Sequence, residues 1–332
     1  MKTLNLFYQE PDPDRWVKFD RYPRKIIRRL IRGKEKPGSI MMIALGLMAG
    51  LDRLKIPYRF NDFRYIKKHP DEIACIIGKP HLLTEHKWAN PIIFGSGIFS
   101  HPSDYPKLVD MHPSIKKILV PGPWMQKMFQ EFHDKQFVIS WPVGIDTEKW
   151  KPCVTQKTID FLVYSKFLWN KEENKNQILY PILAKLRSLN LKYEVITYGT
   201  YTHKDLAQSL SRCKSAIFLC EHESQGMAYQ QILSSDVPIL AWDREDYWLD
   251  PSYYPQKIKF KPTSSVPYWD YRCGLKFQNI EEFESKLKIF TSERKKSLFS
   301  PRSFVLDNLS LEVCAQKYLN ILSSVNEDIA NS

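Results

Sequence analysis

The sequence predicts an α/β protein built from two open, doubly wound domains, and three observations carry that expectation. Short apolar runs alternate with segments of helical periodicity, the pattern of βαβ units and a mostly parallel sheet. The same alternation starts afresh after residue 150, so the second half repeats the grammar of the first. Between the halves, Pro142 and Gly144 interrupt the pattern, as a domain junction would. A length of 332 residues suits two domains of roughly 150 residues each. The expected domains are 1–145 and 146–332.

In the first domain, residues 4–8 form the opening strand. After a basic segment, Ile40 to Leu54 carries apolar residues around most of a helical surface, which predicts a helix buried against a sheet. Strands are expected at 58–61, 73–77, 91–94, 117–120 and 137–141. In the second domain, 159–164 is a strand, and 175–189 is a helix with Ile178, Leu179, Ile182, Leu183 and Leu186 at helical spacing. A strand at 193–198 and a short helix at 205–212 follow. Residues 215–220 are almost wholly apolar, as expected in the middle of a parallel sheet covered on both faces. A helix at 228–235, a strand at 238–242 and a helix at 281–290 come next. The tail reads as helical throughout from 301 to 322 and is expected to return to the first domain. Two such domains facing across a cleft would bind ligands outside the carboxyl ends of their strands.

Composition narrows the class. A hydrophobic fraction of 43%, 13% aromatic residues and only 12 glycines argue for packed cores and against a disordered or collagen-like chain. The formal charge of +12 attracts phosphates on nucleotides, nucleic acids or anionic lipids, or serves solubility alone. Cys75, Cys153, Cys213, Cys220, Cys273 and Cys314 form no CxxC pair, so they specify neither a zinc site nor a disulfide framework. They read as small buried hydrophobes in a reducing compartment. No leader-like apolar run and no membrane-length stretch occurs, which points to the cytoplasm. No HExxH or comparable ligand spacing appears, so no metal is expected.

The chemistry concentrates in Phe218-Leu219-Cys220-Glu221-His222-Glu223-Ser224-Gln225-Gly226-Met227-Ala228-Tyr229-Gln230-Gln231. Here an apolar strand runs into a polar loop, a single glycine and a helix. The free amides of that helix start attract phosphate oxygens, and Gly226 lets the backbone come close. The carboxylate of Glu223 suits sugar hydroxyls. Gln231 follows at 231 − 223 = 8 and suits a ribose. The plainer reading is that Glu223 and Ser224 cap the helix.

This run resembles the donor signature of the retaining GT-B glycosyltransferases of family four (glycosyl transferases group 1). That signature has a Glu, a Gly-containing turn, a second Glu, and a Gly-x-Pro before the next strand. Glu223, Gly226 and Pro238 match; Gln231 replaces the second Glu, Asp236 replaces the helix-ending Gly, and Ser224-Gln225 replaces Gly-Phe. The family's Arg and Lys after the first strand of its second domain are matched by Lys166 and Lys171, with 171 − 166 = 5. Pro142 to Trp150 resembles its junction. The match covers the last 190 residues or so by order of motifs. The resemblance implies a GT-B fold with two Rossmann-like domains and a hexosyltransferase-like activity. It also implies a nucleotide-diphosphate sugar as substrate, with no cofactor. Lys166 and Lys171 would be catalytic by neutralising the departing diphosphate, and Glu223 by holding the sugar. Ser224, Gln225, Gly226, Met227 and Gln231 would bind the donor. The acceptor implied is a saccharide, lipid-linked glycan or protein, in polysaccharide or glycolipid synthesis.

Three further features admit more than one reading. Gly95, Gly97 and His101 form a loop suited to an acceptor or sugar, although Gly-x-Gly is a weak signal and a histidine is often structural. Lys18, Arg21, Arg24, Lys25, Arg28, Arg29, Arg32, Lys34 and Lys36 make a basic strip interleaved with Ile26, Ile27, Leu30 and Ile31. As an amphipathic helix it would contact the inner membrane face through residues 18–36, grip nucleic acid, or form a solvated face. Absence of a helix-turn-helix or RNA-binding motif speaks against nucleic acid. The aromatic and charged runs at 243–248 and 264–274 suit stacking on a sugar or base, or a core. The alternatives to a transferase are a nucleic-acid-binding protein, an epimerase on the same scaffold, or a non-catalytic sugar-binding relative.

Overall fold

The computed structural model describes residues 3–12, 15–17, 20, 23–24, 27, 38–97, 100–153 and 156–331. The basic strip at 18–36 lies almost wholly outside them. Of its cations only Arg24 falls within, where it pairs with Asp20 at 3.2 Å. The chain forms two compact units. The first comprises Met1–Pro121, Phe129–Trp141 and Ala315–Ser332, and the second Gly122–Met128 and Pro142–Cys314.

The first unit is built on β1 (Leu4–Phe7), β2 (Tyr58–Phe60), β3 (Ala74–Ile76), β4 (Ile92–Gly95), β5 (Ile115–Val120) and β6 (Val138–Ser140). They form one parallel sheet in the order β2-β1-β3-β4-β5-β6. The expected long helix is α1 (Ser39–Arg53), but its buried stripe is narrower than its composition suggests. Ala44, Leu47 and Leu51 are buried at i, i+3, i+7, while Met42 faces solvent. Shorter helices are α2 (Phe63–Lys68), α3 (His81–Glu85) and α4 (Leu108–Met111); α5 (Pro123–Phe129) follows β5 in the chain but, all but its last residue, belongs to the second unit. The C-terminal segment does return to this unit. Tyr318 meets the edge of Trp141 at 5.1 Å, and Lys117 pairs with Asp328 at 3.4 Å.

The second unit carries β7 (Ile159–Lys166), β8 (Tyr193–Thr197), β9 (Cys213–Cys220), β10 (Ile239–Trp242) and β11 (Gly274–Phe277). They too form a parallel sheet, ordered β11-β10-β9-β7-β8. Alternation of side chains splits its core in two. Leu162, Tyr164, Ala216, Phe218, Ile239 and Ala241 face one layer of helices. Phe161, Val163, Ile217, Leu219, Leu240 and Trp242 face the other. Each Val, Leu, Ile or Phe among them contributes roughly 1.5–3 kcal/mol on burial, so the two-sided cover fixes β9 at the centre. The layers are α6 (Lys171–Asn174) running through a π turn, Lys175–Leu179, into α7 (Tyr180–Ser188), with α8 (His203–Arg212), α9 (Met227–Ser234), α10 (Ile280–Lys295) and α11 (Pro301–Asn308).

Two expectations are corrected. The tail is not one helix: α11 ends at Asn308 and α12 (Leu311–Ala330) begins afresh. Between them, Leu309 accepts from the Ile145 amide at 2.8 Å and Leu311 donates back to Ile145 at 3.2 Å, so the backbone opens to pair with the junction segment. Strand β11 was not expected, since its four residues lie next to an aromatic, charged run. Among the described residues no helix is long and apolar enough to cross a membrane.

Candidate functional site

In the second sheet the first strand, β7, lies between the second, β8, and the third, β9. Connections therefore leave β7 and β9 in opposite directions, which makes their carboxyl ends a switch point, the place where doubly wound sheets bind ligands. Lys166, the last residue of β7, lies in register with Cys220, the last of β9. The residues that follow both strands are those the sequence singles out.

Lys166 Nζ lies 2.6 Å from Glu223 Oε1, and both side chains are mostly buried. Burial works against the lysine's charge, but Glu223 more than offsets it and holds the pKa above the ordinary lysine value. The ammonium also sits 4.6 Å over the Tyr198 ring. The Glu223 backbone is fixed on both sides: its amide donates to Ser264 O at 2.8 Å, and its carbonyl accepts from Trp124 Nε1 at 2.7 Å. Lys171 opens α6 with its side chain exposed, after Asn170 in the left-handed region.

Neither Glu223 nor Ser224 caps α9. The N-cap is Gly226 at φ 70°, with no side-chain cap, so the first-turn amides keep their capacity for an anion. Ser224 is exposed and Met227 half-buried. The Gln225 side chain exchanges hydrogen bonds with Val143, accepting at 3.2 Å and donating at 3.5 Å, which ties it to the junction backbone. Gln231 is buried, yet among the described residues its side-chain amide has no partner; its backbone carbonyl accepts from the Ser235 amide at 3.1 Å and from Ser235 Oγ at 3.0 Å. Asp236, where the resembled donor signature has a glycine, takes the left-handed φ of 57° that a short polar side chain tolerates. Arg302 binds the junction to the end of α9 through Thr147 O, Trp150 O and Ser234 O at 2.8–3.2 Å. The three motif segments thus meet in one unit.

Sequence reasoning gives Glu221, His222 and Trp124 no role, and takes in Ser264 and Asp243 only as the first residues of runs suited to stacking or a core. Glu221 is buried and accepts hydrogen bonds from the loop after β7. His222 packs between Trp124, at 5.8 Å, and Trp169, at 4.7 Å, and accepts from the Leu249 amide at 3.0 Å. Burial, with Arg244 and Lys166 nearby, lowers its pKa to about 3, so the ring is neutral. Asp243, after β10, is buried and accepts from Ser264 Oγ, the Ser265 amide and Lys276 Nζ at 2.7–2.9 Å. The position of Glu221 beside a buried strand end, and the runs that open at Asp243 and Ser264, are the signals the sequence offers for this.

Gly95, Gly97 and His101 belong to the first unit. A Cβ on Gly95, at φ +123°, would meet Leu119 O at 2.1 Å, so this glycine serves close packing of β4 on β5. His101 caps the turn Pro102–Asp104 by accepting from the Ser103 amide at 3.1 Å, and its ring meets Phe132 edge-on at 5.2 Å. Burial lowers its pKa to about 4.

No protein-family model matches the chain, and no curated protein matches it. Solved structures do share its fold. The lipopolysaccharide outer core galactosyltransferase WaaB, apo form, superposes with a TM-score of 0.51 at 10% identity, over 98% of this chain and 99% of that one. Sucrose-phosphate synthase from Thermosynechococcus elongatus gives 0.52 at 10% identity, over 90% and 82%. Accessory secretory protein 1,2 and 3 in Streptococcus pneumoniae gives 0.52 at 15% identity, over 87% of this chain. The chain spans 58% of the length of that last structure and 63% of the GtfA/B chain it matches. These likenesses, with the two parallel sheets, give the chain the α/β GT-B fold.

Proposed function

We propose that the chain is a glycosyltransferase that moves a sugar from a nucleotide-diphosphate sugar to a glycan-type acceptor. The observation that carries the reading is the meeting of Lys166 and Glu223 at 2.6 Å, at the switch point of the second sheet and beside the uncapped start of α9. In this reading the second unit holds the donor, and acceptor recognition falls to the first.

Lys166 and Lys171 neutralise the negative charge that builds on the diphosphate as the glycosidic C–O bond breaks. The amides of α9 bind the same phosphates. Glu223 orients the sugar hydroxyls and keeps Lys166 charged. The side-chain amide of Gln231, unengaged among the described residues, takes the ribose diol. Retention of configuration follows if a phosphate oxygen accepts the proton of the incoming hydroxyl, with no separate base. The nucleotide sugar is a substrate in this scheme, and no cofactor or metal takes part.

The test is a thermal-shift screen against UDP-, GDP-, ADP- and dTDP-sugars, followed by donor turnover with the stabilising sugar. One donor class should raise Tm, and Lys171→Ala and Glu223→Gln should each lower turnover by about 100-fold or more while the fold persists. No stabilisation by any of the four, or near-normal turnover in both variants, overturns the proposal.

A further inference from the structure

The loop between β7 and α6 leads into Lys171. Phe167 anchors its start in the core, edge-on to Trp242, whereas Leu168 is exposed and Asn170 is left-handed at φ 48°. The rest of the loop is anchored from the other side of the switch point. Glu221, 2% exposed, accepts from the Leu168 amide through Oε2 at 3.1 Å. Its Oε1 accepts from the Trp169 amide at 3.1 Å and from Asn174 Nδ2 at 2.9 Å. Asn174 also donates to Trp169 O at 3.1 Å, which closes the loop on itself. The Trp169 ring then lies over His222, the neighbour of Glu221, at 4.7 Å.

A carboxylate is acceptor-only and is costly to bury unless its oxygens are satisfied. Among the described residues Glu221 forms no ion pair, so the donors it collects from the loop are what make its burial tolerable. Loop and carboxylate therefore order each other. We infer that Glu221 is a positioning residue: it clamps Leu168–Lys171 to the end of β9, so that Lys171 is presented to the diphosphate already ordered. This rests on the donor reading above. It adds that the clamp, and not the lysine's charge alone, sets diphosphate affinity, because a preordered cation loses less entropy on binding.

The obvious variant is Glu221→Gln, whose amide group would point a donor at one of the two backbone amides. Hydrogen exchange should find the Leu168 and Trp169 amides slow in the wild type and fast in E221Q, with the β9 amides unchanged. Affinity for whichever of UDP, GDP, ADP or dTDP binds the wild type should fall about tenfold or more. If Glu221 acts through Lys171, then Lys171→Ala should cost little more in the E221Q background than E221Q does by itself. Should E221Q fold poorly, Asn174→Asp tests the same contact: two facing carboxylates repel at pH 8, and affinity recovers toward wild type near pH 5, where one is protonated. Unchanged protection of the two amides in E221Q, additive losses in the double variant, or a pH-independent N174D defect would each overturn the clamp. Failure of the wild type to bind any of the four diphosphates overturns the donor reading instead, and the exchange data still decide whether the clamp exists.

Discussion

Gly226 is the residue at which sequence and geometry are most tightly joined. Its φ of +70° is strained for any side chain, and a Cβ would stand 2.1 Å from Cε1 of Tyr229, whose ring is fully buried and whose hydroxyl donates to Tyr268 O at 3.2 Å. The ring has no room to retreat. Gly226→Ala should therefore destabilise the protein by about 2–3 kcal/mol, read from urea unfolding, and should weaken nucleotide binding further by displacing the first amides of α9. A loss under about 0.5 kcal/mol would mean that the turn relaxes without cost. Lys166 and Glu223 teach the converse lesson: their residue types were readable, but the ion pair that joins them spans 57 positions of the chain.

Elements were placed by periodicity, and their ends were set by local hydrogen bonds. The helix expected from 205 starts at His203, because Thr202 and Asp205 form a reciprocal cap. The Thr202 hydroxyl accepts from the Asp205 amide at 3.3 Å, and Asp205 accepts from the Thr202 amide at 2.8 Å. Thr202→Ala should cost about 1 kcal/mol in thermal or urea unfolding, with fraying confined to α8 in hydrogen exchange. The tail shows the opposite case. Nothing in 301–322 marks the interruption at Leu309–Ser310, because the backbone of Ile145, remote in sequence, supplies the competing hydrogen bonds. β11 is not legible in the sequence for a related reason. Four residues are too few to show a period, and their pairing with β10 decides their conformation.

For the whole molecule, the buried histidines set a pH dependence. Burial lowers His222 to about 3 and His101 to about 4, from an ordinary value of 6.5. Below pH 6.5 the unfolded chain takes up protons that the folded chain refuses, so their contribution to stability is complete above that pH and is lost as pH falls toward 4. Asp160, lowered by Lys214 and the Lys192 amide against the effect of burial, adds a further loss below the ordinary aspartate value. The melting temperature should fall steadily from pH 7 to pH 4, and His222→Gln should flatten the upper part of that slope. An equal slope in both proteins would show that His222 is protonated in the folded chain.

What the sequence determined by itself was the class of fold, the order of most strands and helices, and the identity of the ionisable groups after β7 and β9. These depend on periodicity, on glycine and proline, and on residue chemistry, all of which are local. What only the tertiary structure decided was which groups meet. Glu221 belongs to the loop of Lys171, Gln225 to the junction at Val143, and His101 to a capped turn in another unit. The reason is physical: a hydrogen bond or ion pair at 3 Å forms wherever the folded backbone brings its partners, and the distance along the chain between Glu221 and Leu168, or Trp124 and Glu223, leaves no trace in local pattern.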